Sequence, residues 1–250
     1  MPDKKILEVT RLNKRFGGLQ VTKDLDFLLY EGDQAAIIGP NGAGKTTFFN
    51  LLTGYHRADS GSVLFDGREI AHLPSYLIAR AGVTRAFQVS NIFPRLSVLE
   101  NVRSAVQAQM GRAFDLFSRA DGIGMAEAER ILRLCRLDKA RGLLAGELSQ
   151  GDKKKLELAL ALAGEPKLLL LDEPTAGMSL EETRDTMALI DHLNQALRLT
   201  VLFTEHDMAV VFNHARRVTL LHRGEKIVEG SPQEVRENET AQRIYLREQQ

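Results

Sequence analysis

The chain has 250 residues, 44% hydrophobic and 26% charged, ordinary globular proportions that suit one large domain or two small lobes. Its 33 Lys and Arg balance its 33 Asp and Glu, so the charge gives no reason to expect nucleic acid or an anionic lipid surface as a partner. A single cysteine, Cys135, excludes an internal disulfide and points to a reducing compartment; its place in ILRLCRL (131–137) reads as core.

The opening MPDKKILEVT is charged and too short in apolar length for a secretory signal. No stretch reaches the roughly 18 uninterrupted apolar residues that a membrane helix needs. The nearest, 156–172, is broken by Glu157, Glu165 and Lys167. The expectation is a soluble chain, or one held at a membrane by a partner.

ILEVT (6–10) and LDFLLY (25–30) read as strands, and QAAIIG (34–39) as a buried strand ending in glycine. A helix is expected to begin within GKTT and run to about Thr53, with Gly54 stopping it. SVLFDGREI (62–70) reads as a hairpin turning at Asp66-Gly67. Residues 96–150 lack strand runs and favour helix, with a Gly-rich break at 121–124, as a helical lobe inserted in an α/β core would. The core resumes near Lys153 with Leu156, Ala159, Leu160 and Ala163 on one helical face. LLLLD (168–172) suits a strand covered on both faces. A helix over 180–197, a buried strand TVLFTE (200–205), a hairpin over 216–230 turning at Gly224, and short terminal helices complete the chain. Strands alternating with helices predict an α/β fold with a mostly parallel sheet.

Gly39, Pro40, Asn41, Gly42, Ala43, Gly44, Lys45, Thr46 and Thr47 fit the phosphate-loop spacing, between an expected strand and an expected helix. Glycines let successive N–H groups converge on phosphate oxygens, and the helix turns its positive end to the same oxygens. Lys45 would bring a compact charge to the β and γ phosphates, and the Thr46 hydroxyl could ligate Mg²⁺. Asp172 and Glu173 follow four leucines, where the strand must leave the core, and ligands of open α/β sheets gather at such strand ends. Asp172 suits Mg²⁺, through water, and Glu173 suits orienting or deprotonating an attacking water. His206 follows the next buried strand and could reach the γ-phosphate. The other five histidines show no ligand spacing.

In order along the chain stand the phosphate loop, Gln88 in FQVSNIF, LSQGD (148–152), LLLLDEP (168–174), TAGMS (175–179) and His206. With this ordered set the chain resembles the ATP-binding subunits of ABC transporters over nearly its full length. The resemblance implies a single domain over 1–250: a phosphate-loop NTPase core with an N-terminal antiparallel β portion and the helical lobe inserted. It implies ATP and Mg²⁺ as ligands, with Phe16 stacking on adenine. Gln88 would link the Mg²⁺ site to a membrane-spanning partner and share in metal binding and catalysis. Ser149 and Gly151 would contact the γ-phosphate of ATP bound to an opposite subunit, a copy or a paralogue, in a head-to-tail dimer. TAGMS would carry contacts between the two sites. The partners implied are that second ATPase, permease subunits and a soluble substrate-binding protein, with the chain on the cytoplasmic face of the cell membrane.

LSQGD departs from the usual LSGGQ at Gln150 and Asp152, placing an acid near a polyphosphate unless Lys153–Lys155 offset it. That departure leaves a weakly hydrolysing regulatory subunit as an alternative. FGGLQV, TRAFQVSNIFPRLSVLENV and the segment 216–246 look like the ATP-binding subunits of branched-chain amino acid importers, and urea and short-amide importers of the same group are similar.

Overall fold

The computed structural model describes residues 4–86, 92–110 and 124–246. The chain opens with two long strands, β1 (Lys5–Phe16) and β2 (Leu19–Tyr30), then β3 (Gln34–Ile38) and α1 (Lys45–Leu52). The hairpin β4 (Ser60–Phe65) and β5 (Arg68–Glu69) precedes α2 (Ser75–Ala81) and β6 (Val83–Ala86). Helices α3 (Val98–Gln109), α4 (Met125–Leu134) and α5 (Gln150–Leu162) follow, with short 3-10 turns between the last two. Then come β7 (Leu168–Asp172), α6 (Leu180–Leu197), β8 (Thr200–Thr204) and α7 (Met208–His214). The hairpin β9 (Arg217–His222) and β10 (Glu225–Gly230), with α8 (Pro232–Glu237) and α9 (Glu239–Leu246), completes the described chain.

Two sheets result. One is antiparallel, in the order β2-β1-β4-β5; the other runs β10-β9-β3-β8-β7-β6 and is parallel except for its β9–β10 hairpin. Side chains alternate across the parallel sheet and feed two separate cores. Ile37, Leu168, Leu170 and Leu202 pack with Phe27, Phe48 and Phe65 between the sheets and α1. Ile38, Leu169, Leu171 and Phe203 pack with Val102, Ile131, Leu156 and Ile190 on the helical side. Burial on both faces accounts for the unbroken apolar runs of β3, β7 and β8, and each such side chain contributes about 1.5–3 kcal/mol. Cys135 belongs to the helical-side core, and burial pushes its thiol up to about 12.

The expected strands at 34–39, 168–172 and 200–205, the helix at 180–197 and the two glycine-turned hairpins all appear, within a residue or two. Three helices begin with serine capping boxes, Ser97 with Glu100, Ser179 with Glu182 and Ser231 with Glu234, which satisfy N–H groups that the helix leaves open. The expected break at 121–124 lies outside the described residues except for Gly124, which caps α4.

At the β4–β5 turn, Asp66 accepts from Lys167 Nζ at 2.6 Å and Lys4 Nζ at 2.7 Å. Those bonds, Lys167 first, lower its carboxyl to about 2. A depressed carboxyl stabilises the fold fully above its ordinary value near 3.8, and the contribution is lost as pH falls toward 2. Asp66→Asn should therefore lower stability at neutral pH by about 0.5–1 kcal/mol, solvent screening keeping it small. Denaturant melts of variant and parent should converge below about pH 2, and a gap that persists there would contradict the ion-pair origin.

Candidate functional site

The parallel strands β3, β8 and β7 lie side by side, so Gly39, the 204–206 segment and Asp172-Glu173 emerge together at the carboxyl ends of these strands. A cleft of about 230 Å³ opens there, lined by Val21, Pro40 to Thr47 and Glu173. The phosphate loop is contiguous in the cleft wall, and Glu173 reaches it from the end of β7.

Two glycines of this loop are dictated by crowding. Gly39 has φ 148°, and a Cβ there would sit 2.1 Å from the Leu221 carbonyl oxygen of β9. Gly44 has φ 105° at the cap of α1, and its Cβ would meet the Val21 carbonyl oxygen at 2.8 Å. The same Val21 carbonyl lies against Gly224, whose N–H donates to Ala43 at 3.0 Å. The loop is thus braced by β2 and by the β9–β10 turn. Lys45 is buried, its ammonium donating to the carbonyls of Gly39 and of Pro40, the latter at 3.2 Å. Thr46 is exposed at the start of α1.

Asp172 pairs across the ladder with Thr204, whose hydroxyl donates to Asp172 Oδ1 at 2.7 Å. Its Oδ2 accepts from Arg85 of β6. Glu173 has left-handed backbone, φ 50°, held by its N–H donating to the Thr204 carbonyl (3.1 Å) and hydroxyl (3.2 Å). Its Oε1 lies 2.9 Å from His206 Nε2, so two residues singled out separately in the sequence stand in contact. Glu205 is buried and accepts from the Thr175 N–H at 2.8 Å and hydroxyl at 2.7 Å, tying TAGMS to the segment that carries His206. Sequence reasoning missed Arg85, Thr204 and Glu205. Glu205 carried a readable signal, since it ends an apolar strand as Asp172 does.

Ser149 and Gly151 are not among the residues lining the cleft. Ser149 caps α5, accepting from the Asp152 N–H at 3.1 Å. Glu182 takes the Ser179 N–H and hydroxyl and then the Gly151 N–H, which hold its carboxyl below the usual range. Of the three lysines expected to offset Asp152, Lys155 does so at 2.9 Å, while Lys154 stands 3.6 Å from Glu157. Phe16, also away from the cleft lining, is 42% exposed and meets His56 edge-on at 5.0 Å, with Lys14 Nζ 5.4 Å from its ring centre. Gln88 lies outside the described residues. A groove of about 450 Å³ is lined by Thr84, Arg85, Phe93, Ser104, Ala108 and Glu157, among others. Buried Asn101 braces its rim, accepting from the Phe93 N–H at 2.8 Å and donating to the carbonyls of Phe93, Leu96 and Ser97.

Residues 22–176 match the family model for the ABC transporter. The chain belongs to the ABC transporter family. It is 36% identical to the high-affinity branched-chain amino acid transport ATP-binding protein BraF of Pseudomonas aeruginosa, across 97% of this chain and 98% of the relative. LivG of Escherichia coli K12, of the same description, is 35% identical with the same coverage. Among solved structures, the ADP conformation of MJ1267, an ATP-binding cassette of an ABC transporter, superposes with a TM-score of 0.86 at 28% identity, covering 97% of this chain and 98% of that one. As a member of this family the chain is an ATP-binding and ATP-hydrolysing subunit with an α/β cassette fold. Among the described residues, no helix is long and apolar enough to cross a membrane.

Proposed function

We propose that this ATPase drives import of branched-chain amino acids, or related small polar solutes, from the cytoplasmic face of the membrane through permease subunits. The observation that carries the chemistry is that Glu173 and Lys45 line one cleft. The cargo class rests on end-to-end similarity to BraF and LivG.

In this reading the Gly42–Thr47 N–H groups and Lys45 take the β and γ phosphates of ATP. Phe16 supplies the adenine platform from its exposed ring. Thr46 and Asp172 are hard oxygen donors that suit Mg²⁺, and the single carboxylate fits an ion that keeps its waters and binds phosphate. Bound there, Mg²⁺ would neutralise charge developing on the phosphates. Among the described residues no cluster of three or more His, Cys, Asp or Glu offers a cage made of protein alone, which agrees with shared ligation. Glu173 orients the attacking water and draws its proton, with His206 fixing the carboxylate, and Gln88 connects this end to the permease. Ser149 and Gly151, which do not line their own cleft, serve the γ-phosphate on a second ATPase, a copy or a paralogue. The groove beside 92–97 seats a permease segment, and a soluble binding protein delivers the solute outside. The whole chain, 1–250, acts as one cassette with residues 96–150 as its helical lobe.

Gentle purification from membranes, with every co-purifying chain identified, tests this. Membrane-embedded subunits should accompany the chain, and leucine uptake should fall in cells lacking it. Recovery with no membrane subunit would overturn the reading. A weakly hydrolysing regulatory subunit is the second reading, motivated by Asp152. Turnover by the purified complex no higher than that of its Glu173→Gln form would favour it.

A further inference from the structure

Arg85 is a buried cation for which the chemistry above has no use. It stands third in β6, opposite Leu170 of β7, with its side chain only 9% exposed. One terminal nitrogen donates to Asp172 Oδ2, and the other to Asn50 Oδ1 of α1 at 2.5 Å. The guanidinium carbon lies 5.5 Å from the Phe49 ring centre. The Nε is buried with no hydrogen-bond partner among the described residues. Asp172 is equally enclosed, 13% exposed, with its second oxygen taken by the Thr204 hydroxyl.

Both oxygens of Asp172 are therefore engaged by protein donors, and its charge is balanced by a side chain that cannot deprotonate. A divalent cation approaching the same carboxylate meets the field of that guanidinium, and a partly buried site screens such repulsion poorly. Arg85 also lines the groove assigned above to the permease, so its hold lies where a docked partner can reach it.

We propose that Arg85 is a positioning residue that withholds the Asp172 carboxylate from Mg²⁺ in the resting chain, so that metal binding requires this ion pair to loosen. The proposal rests on the reading of Asp172 as the acid that serves Mg²⁺. Charge, and not shape, is the operative property.

The test uses the full chain carrying Glu173→Gln, so that ATP stays intact. Calorimetry gives ATP affinity in EDTA and in saturating Mn²⁺, and the ratio measures the metal's contribution. Arg85→Gln, and Arg85→Met as a second neutral variant that keeps packing against Phe49, should raise that ratio at least tenfold. Their affinity in EDTA should stay within about twofold of the parent. Arg85→Lys, which retains the charge, should keep the parent ratio. An unchanged or reduced ratio in a neutral variant that melts like the parent would overturn the proposal. Asp172→Asn separates the two layers. It should collapse the ratio, and if it does not, the assignment of Asp172 to Mg²⁺ has failed.

Discussion

Glu173→Gln will leave ATP affinity within about twofold of the parent and cut turnover by roughly 10²–10⁴, the range of a lost general base. Glutamine keeps the shape and a hydrogen-bonding oxygen beside His206, while the charge that would draw a proton from water is gone. The backbone argues in the same direction. A non-glycine residue at φ 50° costs about 1–3 kcal/mol, and two bonds to Thr204 hold it there. That strain turns the side chain back toward the phosphate loop, and glutamine preserves the conformation. Phosphate release under single-turnover conditions, with binding measured by calorimetry, gives both quantities. A variant within tenfold of parental turnover would remove Glu173 from the role.

Lys45→Ala should act one step earlier and weaken ATP binding by about 100-fold or more, the loss of a charge-assisted contact between a buried ammonium and phosphate. The ammonium donates to the Gly39 and Pro40 carbonyls, which hold it within the loop. Alanine also leaves the buried Gly39 carbonyl short of a partner, while the Pro40 carbonyl keeps the Ala43 N–H, and stability should drop by about 1–3 kcal/mol. Lys45→Arg restores the charge but not the compact head, and should recover only part of the affinity. Fluorescent ATP titration and thermal melts read the two losses separately. Parental affinity in the alanine variant would contradict the phosphate-loop assignment.

The parts of this molecule that could be read from sequence are those whose physics is local. The phosphate loop is nine adjacent residues, and β7 announces its exit from the core by setting Asp172 after four leucines. The hairpins at 66–67 and 224 carry glycine at turns with positive φ. Strands β1 and β2 were legible only in their apolar halves. Their outer ends, RLNKRF and LQVTKD, are polar, and register shifts between Val9 and Lys14 break the alternation that marks a strand. Four-residue β6, VTRA, has no apolar run, and α2 buries only Ile78, so neither leaves a periodic signal. Arg85 and Glu205 escaped notice because each is one charged letter whose meaning lies in a partner about 30 or more residues away. Family resemblance supplied Phe16, Ser149 and Gly151, whose positions outside the cleft no spacing rule would have linked to it.

The bracing of the phosphate loop by β9 and the β9–β10 turn has a consequence for biogenesis. Strand β3 leads into the loop, yet its neighbours are β8 and β9, with Ala35 paired to Leu202 and to Arg217. The carbonyl that crowds Gly39 belongs to Leu221, and the turn that buttresses Ala43 is Gly224. During translation at about 5–20 residues per second, the loop would wait roughly ten to forty seconds for those supports. Until then a glycine-rich segment with a lysine must remain open, and no nucleotide can template it. Nascent chains stalled before β9 should thus leave one edge of apolar β3 unpaired, a form prone to aggregate.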